Sequence, residues 1–213
     1  MRHLNTIDQL ICQIDTAMRT LLPPKQRASN RINPGHTVTS SPMNQDETRH
    51  VAGLMRVNHA GEVCAQALYQ GQALTAQLTT VKAQMMDAAA EEVDHLAWCE
   101  QRLHELNSEP SRLNPLWYGG SFMLGALAGL AGDRWSLGFV AETERQVAAH
   151  LQQHLHKIPL QDMKTRAILT QMHADESHHA EVAHNAGAAE LPVVIKHVMK
   201  AVSKWLTRSS YYI

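Results

Sequence analysis

Apolar residues recur along this chain at intervals of three and four, not two, so its elements read as helices throughout. Residues 1–22 place Leu4, Ile7, Leu10, Ile11, Ile14, Met18, Leu21 and Leu22 on that spacing, an amphipathic helix ending before Pro23-Pro24. Its simplest role is to pack on the rest of the protein, with a membrane or partner contact as the alternative. Residues 23–46 turn to Pro, Ser, Asn and Thr with almost no large apolar side chain, and are expected to be a linker. Residues 47–213 then form one domain. Core helices are expected over about 47–78, 81–106, 137–156 and 160–186, with a further apolar helix over 116–130 and a last one after Pro192. Gly53, Gly61 and Gly71 weaken the first core helix in isolation, which implies close contacts that hold it.

The stretch 116–130 carries Trp117, Phe122, Met123, Leu124, Leu127 and Leu130, and no charge follows until Asp133. It is short for a bilayer, which takes about 20 apolar residues. Gly119, Gly120, Gly125, Gly129 and Gly132 favour close packing or an embedded hairpin. The last helix sets Val194, Val198, Val202 and Trp205 on one side and Lys196, Lys200, Lys204 and Arg208 on another, the pattern of a helix lying in a membrane interface.

Composition narrows this picture. With 44% hydrophobic residues there is ample core for one domain, and a net charge of −1 gives no footprint for nucleic acid. Cys12, Cys64 and Cys99 are an odd number without Cys-x-x-Cys spacing, which argues for a reducing compartment and against a disulfide framework or zinc ribbon. No secretory signal is evident, so a cytoplasmic address is expected.

The chemistry is written twice. Glu91-Glu92-Val93-Asp94-His95 and Asp175-Glu176-Ser177-His178-His179 each put a glutamate three residues before a histidine, on one helix face, where carboxylate and imidazole can grip one ion. Di-metal sites in helix bundles need one further carboxylate from each of the other two helices. Glu62 stands 30 residues before Glu92, and Glu144 stands 32 before Glu176, a spacing that fits two helical hairpins facing each other. The candidate metal ligands are therefore Glu62, Glu92, His95, Glu144, Glu176 and His179. Asp175 and His178 offer a second register, but the shared pattern of acid, ligand Glu and His selects Glu176 and His179. Glu91 and Asp175 then become candidates to hold a ligand imidazole from outside the metal. Glu142 and Glu144 lie about 200° apart on a helix, so only one can face the site. His150 falls on a flank of it, and His59, three before Glu62, reads as a packing histidine. Four carboxylates and two imidazoles suit iron or manganese, and reaction with dioxygen would favour two iron ions per chain.

Arg56-Val57-Asn58-His59-Ala60-Gly61-Glu62, Glu92-Val93-Asp94-His95-Leu96, Glu144 with His150, and Glu176 with His179 resemble the demethoxyubiquinone hydroxylases, ferritin-like di-iron enzymes of ubiquinone biosynthesis. The resemblance runs from about residue 54 to the end; Cys64 stands where it would place Gly. It selects Glu144 over Glu142. It implies an all-α, ferritin-like four-helix bundle with added N-terminal, mid-chain and C-terminal helices. It also implies a monooxygenase that hydroxylates the ring of a polyprenyl demethoxyubiquinol with dioxygen. The enzyme would sit peripherally on the cytoplasmic face of the cell membrane without crossing it, and an oligomer or biosynthetic complex is compatible with it. A ferroxidase, a peroxidase or an iron-storage protein is the alternative on the same scaffold. Because no Gly-x-Gly-x-x-Gly fingerprint is present, electrons are expected from outside the chain.

Overall fold

In the computed structural model, residues 6–22, 24 and 27–213 are described; Leu4, Pro23 and the side chain of Leu10 lie outside that set. Among the described residues seven α-helices follow one another: α1 (Thr6–Leu21), α2 (Gln45–Thr75), α3 (Thr79–Glu105), α4 (Asn114–Leu130), α5 (Asp133–Leu155), α6 (Met163–Asn185) and α7 (Val193–Tyr212). Their ends are set by local chemistry. Asn44 and Glu47 form a reciprocal capping box that starts α2. Asp162 caps α6 by accepting from the Thr165 amide, and Gly132, at φ 107°, turns the chain between α4 and α5.

The bundle is α2, α3, α5 and α6. One apolar cluster joins Val51, Leu54 and Met55 of α2 to Trp98 and Leu103 of α3, Leu151 of α5, and Ile168, Leu169 and Met172 of α6. A second joins Ala65 and Tyr69 of α2 to Val81 and Met85 of α3, Leu137, Val140 and Ala141 of α5, and Ala183 of α6. The clusters come in opposite order along α2 and α3, and along α5 and α6, so each pair is an antiparallel hairpin. On every helix the Glu and His positions fall between the two clusters. Apolar packing at both ends therefore encloses a polar middle layer.

The added helices differ from a simple core. α4 lies on α2 through glycine: a Cβ on Gly125 would sit 2.3 Å from the Leu68 carbonyl oxygen, and one on Gly71 would sit 2.3 Å from that of Phe122. The expected crowding does not extend to Gly61, Gly119 or Gly120, where a Cβ would meet nothing within 4 Å. α7 reaches α2 and α4 through Tyr211 under Gly53 and a Trp117–Trp205 edge contact at 4.7 Å. α1 packs on α2 and α4 as expected, but with only part of its apolar stripe. Ala17 and Leu21 turn inward, while Ile7, Ile11, Ile14 and Met18 are exposed. Between α1 and α2, residues 27–41 carry only a 3₁₀ turn (Pro34–Thr37) and run across α3 and α6.

Candidate metal centre

All six candidate ligands meet in the polar layer, each at most 8% exposed. One ligand atom each from Glu62, Glu92, His95 and Glu176 lies within 4.8 Å of the others. His95 Nδ1 is 3.0 Å from Glu176 Oε1, 3.3 Å from Glu92 Oε2 and 3.6 Å from Glu62 Oε2. His179 Nδ1 is 3.3 Å from Glu176 Oε2 and 3.6 Å from Glu92 Oε1. Glu92 and Glu176 thus each show one oxygen to each imidazole, so both could help to hold an ion beside either histidine, whereas Glu62 and Glu144 stand next to them. Glu144 lies against Glu176 and accepts a hydrogen bond from the Tyr69 hydroxyl.

The outer nitrogens cross the bundle. His95 Nε2 meets Asp175 of α6 at 3.0 Å, and His179 Nε2 meets Glu91 of α3 at 3.0 Å. Each acid holds the histidine of the opposite hairpin, not the one four residues along its own helix. His150 does not join the six: its ring lies 3.9 Å from His154, and burial pushes its pKa down to about 4. Glu142 faces Arg145, Gln146 and Lys196, and His178 is exposed. His59 is buried between Glu100 and Asn114. Cys64 is accommodated beside Ser121, and burial pushes its thiol up to about 12, where it is unreactive.

The cluster's electrostatics call for cations. Burial, then the charges of Glu176 and Glu62, push the Glu92 carboxyl far above its ordinary value; burial and Glu176 do the same to Glu144. Burial would raise Glu176 too, but hydrogen bonds from His179 and His95 outweigh it and hold that carboxyl low. Burial would lower His95, yet its contacts to Asp175, Glu176, Glu62 and Glu92 hold it well above the usual imidazole range, and His179 is raised for the same reason by Glu176 and Glu91. Glu92 Oε1 and Glu144 Oε2 are buried with no hydrogen-bond partner. Orphaned acceptors among protons that do not suffice for them fit an all-oxygen and imidazole site for two divalent ions, which would displace those protons.

Beside this layer a cavity of about 800 Å³ opens between α1, α2 and α3. Gln66 and Tyr69 line it, one and nearly two helical turns beyond Glu62, with Met85, Ala89 and Val93 opposite. Tyr69 therefore touches both the cavity and Glu144. Gln66 is buried and its Oε1 has no partner. Neither residue stood out in the sequence, although spacings of four and seven from Glu62 place both on the ligand's side of α2.

Comparison with known proteins places these features in a family. Residues 49–210 match the family described as ubiquinone biosynthesis protein COQ7. A protein of Legionella pneumophila (strain Paris), described as 3-demethoxyubiquinol 3-hydroxylase, is 63% identical over 213 residues, the whole of both chains. One of Acinetobacter baumannii (strain ACICU), with the same description, is 59% identical, again over the whole of both chains.

Proposed function

The chain belongs to the COQ7 family of ubiquinone biosynthesis proteins and acts as a hydroxylating monooxygenase of the 3-demethoxyubiquinol 3-hydroxylase type; we propose that it does so at two iron ions held by Glu62, Glu92, His95, Glu144, Glu176 and His179. The observation that carries this reading is the buried layer of four carboxylates and two imidazoles with unpaired oxygens on Glu92 and Glu144. Iron bound there would supply dioxygen activation, which no side chain of the chain can supply. Glu92 and Glu176 would set the separation of the ions, and Asp175 and Glu91 fix Nε2–H on each histidine, leaving Nδ1 to bind.

The quinol ring would bind in the cavity against Gln66 and Tyr69. The Gln66 Oε1 would accept from a ring hydroxyl, and the Tyr69 hydroxyl, donating to Glu144, keeps that carboxylate oriented while forming the cavity's inner wall. The apolar walls exclude water from the ring, and the lipid tail would leave past Leu74 and Met86, which are exposed at the cavity rim.

A polyprenyl substrate stays in the bilayer, so the reading includes peripheral contact with the cytoplasmic face of the membrane. Three exposed stripes support it: Ile7, Ile11, Ile14 and Met18 on α1; Leu116, Met123, Leu127 and Leu130 on α4; and Val194, Val198, Val202 and Trp205 on α7. Among the described residues no helix is long and apolar enough to cross a membrane. Of the four cations expected on α7, Lys196 is engaged by Glu190 and Glu142. Lys200, Lys204 and Arg208 remain exposed, and contribute about 3 kcal/mol at an anionic surface, at about 1 kcal/mol each.

The test is metal analysis joined to quinone profiling. Purified protein should hold two iron ions per chain. Glu62→Ala, Glu92→Ala, Glu144→Ala and Glu176→Ala should each lose iron and leave demethoxyubiquinone accumulating in a strain without its own enzyme. Full iron and normal ubiquinone in Glu144→Ala would remove α5 from the site.

A further inference from the structure

The segment ahead of the family match is fastened across the polar layer by side chains outside the six candidate ligands. Arg27 makes a bidentate pair with Glu100 of α3 at 2.7 and 3.0 Å. The Ser29 hydroxyl and the Asn30 amide both donate to Asp94 Oδ1, at 2.9 and 2.7 Å, on the residue next to His95. Asn33 donates to Gln101 at 2.8 Å, and Ser40 accepts from the Lys164 amide of α6 at 2.9 Å. The strap thereby ties together the two helices that carry the Glu-x-x-His motifs.

At its centre is Arg31. Its Nη2 donates to Asp175 Oδ2 at 2.8 Å, the same oxygen that receives His95 Nε2–H at 3.0 Å. Its guanidinium also lies 4.9 Å above the Trp98 ring, and Trp98 packs against the His95 imidazole at 5.3 Å. Arg31 thus braces His95 by two routes, through a carboxylate to its nitrogen and through an indole to its face. Among the described residues the other half of the layer has no such cover. Glu91, which holds His179, is 48% exposed, whereas Asp175 is 14% exposed.

We infer that Arg31 is a positioning residue for one half of the metal centre: acting through Asp175 and Trp98, it locks His95 and makes the ion on that side slower to leave than the ion beside His179. This rests on the di-iron reading above. The physical basis is that groups which orient a ligand histidine from outside the metal typically affect metal binding by about 10- to 100-fold. The planar guanidinium of Arg both pairs with a carboxylate and stacks on an indole, which Lys does only in part.

The experiment is release of iron from the anaerobic, ferrous, full-length protein to an excess of ferrozine, read with Mössbauer spectra of the ⁵⁷Fe-loaded protein. Arg31→Ala should release one of its two ions about tenfold faster than the wild type, leave the other unchanged, and alter one of the two ferrous signals. Arg31→Lys should fall between. Asn33→Ala loosens the same strap at Gln101 without touching Asp175, and so measures general loosening; it should release both ions as the wild type does. Equal acceleration of both ions in Arg31→Ala, no acceleration, or the same acceleration in Asn33→Ala overturns the inference. A wild type that holds no iron overturns the di-iron reading and this inference together, whereas a two-iron wild type with an unaffected Arg31→Ala overturns this inference alone.

Discussion

At the scale of single residues, the layer of candidate ligands stores electrostatic cost that bound ions would relieve. Glu92 and Glu144 are raised by burial and by their acidic neighbours, so as pH climbs past the ordinary carboxylate value they ionise more readily in the unfolded chain than in the folded one, and stability falls. His95 and His179 are raised by acidic partners that outweigh burial; the stability they contribute is complete below the ordinary imidazole value and lost as pH rises through their folded values. Both pairs act in one direction. Asp175 and Glu176 are held low and matter only on the acid side, below the ordinary carboxylate range. Metal-free protein should therefore melt at progressively lower temperature between about pH 5 and about pH 8, while iron-loaded protein should not. Calorimetry of both forms over that interval is the check. Glu92→Gln with Glu144→Gln should lessen the metal-free slope and abolish iron binding, and a flat metal-free profile in the wild type would contradict the account. The sequence pattern supplied the six candidate positions that meet in the buried layer, but not Arg31, Gln66 or Tyr69, because these matter through contacts with chain distant in sequence.

At the scale of elements, glycine decides how α4 meets α2. In a helix interior glycine costs about 1 kcal/mol relative to alanine, and Gly125 repays this by letting α4 approach the Leu68 carbonyl. Gly125→Ala places a methyl against backbone that has no rotamer to yield, so it should lose about 1–3 kcal/mol, the usual range for overpacking. Gly120→Ala meets open space on an exposed face and should be neutral or gain up to about 1 kcal/mol. Denaturant unfolding of the two variants separates close approach from mere helix propensity. The sequence alone treats these glycines alike, since it carries no information on which side of α4 faces a neighbour.

At the scale of the whole molecule, the apolar stripes of α1, α4 and α7 are turned outward although the bundle has a complete core without them. An outward stripe on a folded helix is cheap to alter: Ile11→Glu with Ile14→Glu on α1 should change stability by at most about 0.5 kcal/mol per site, yet reduce flotation with liposomes. Leu124→Asp with Leu127→Asp on α4 should also reduce flotation, and charge reversal of Lys200, Lys204 and Arg208 should remove its preference for anionic lipid at low salt. Wild type that never floats, or variants that float as it does, would count against membrane delivery of the substrate.

By itself the sequence determined the helical class, the succession of helices and the repeated Glu and Glu-x-x-His order, because helix periodicity and ligand spacing are local properties that a single chain writes in full. It could not assign Glu91 to His179 and Asp175 to His95, nor lay residues 27–41 over the site, nor turn the stripe of α1 away from the bundle. Those follow only from how the two hairpins face each other and from which surfaces their cores leave uncovered, and that choice is made by packing between segments far apart in the chain.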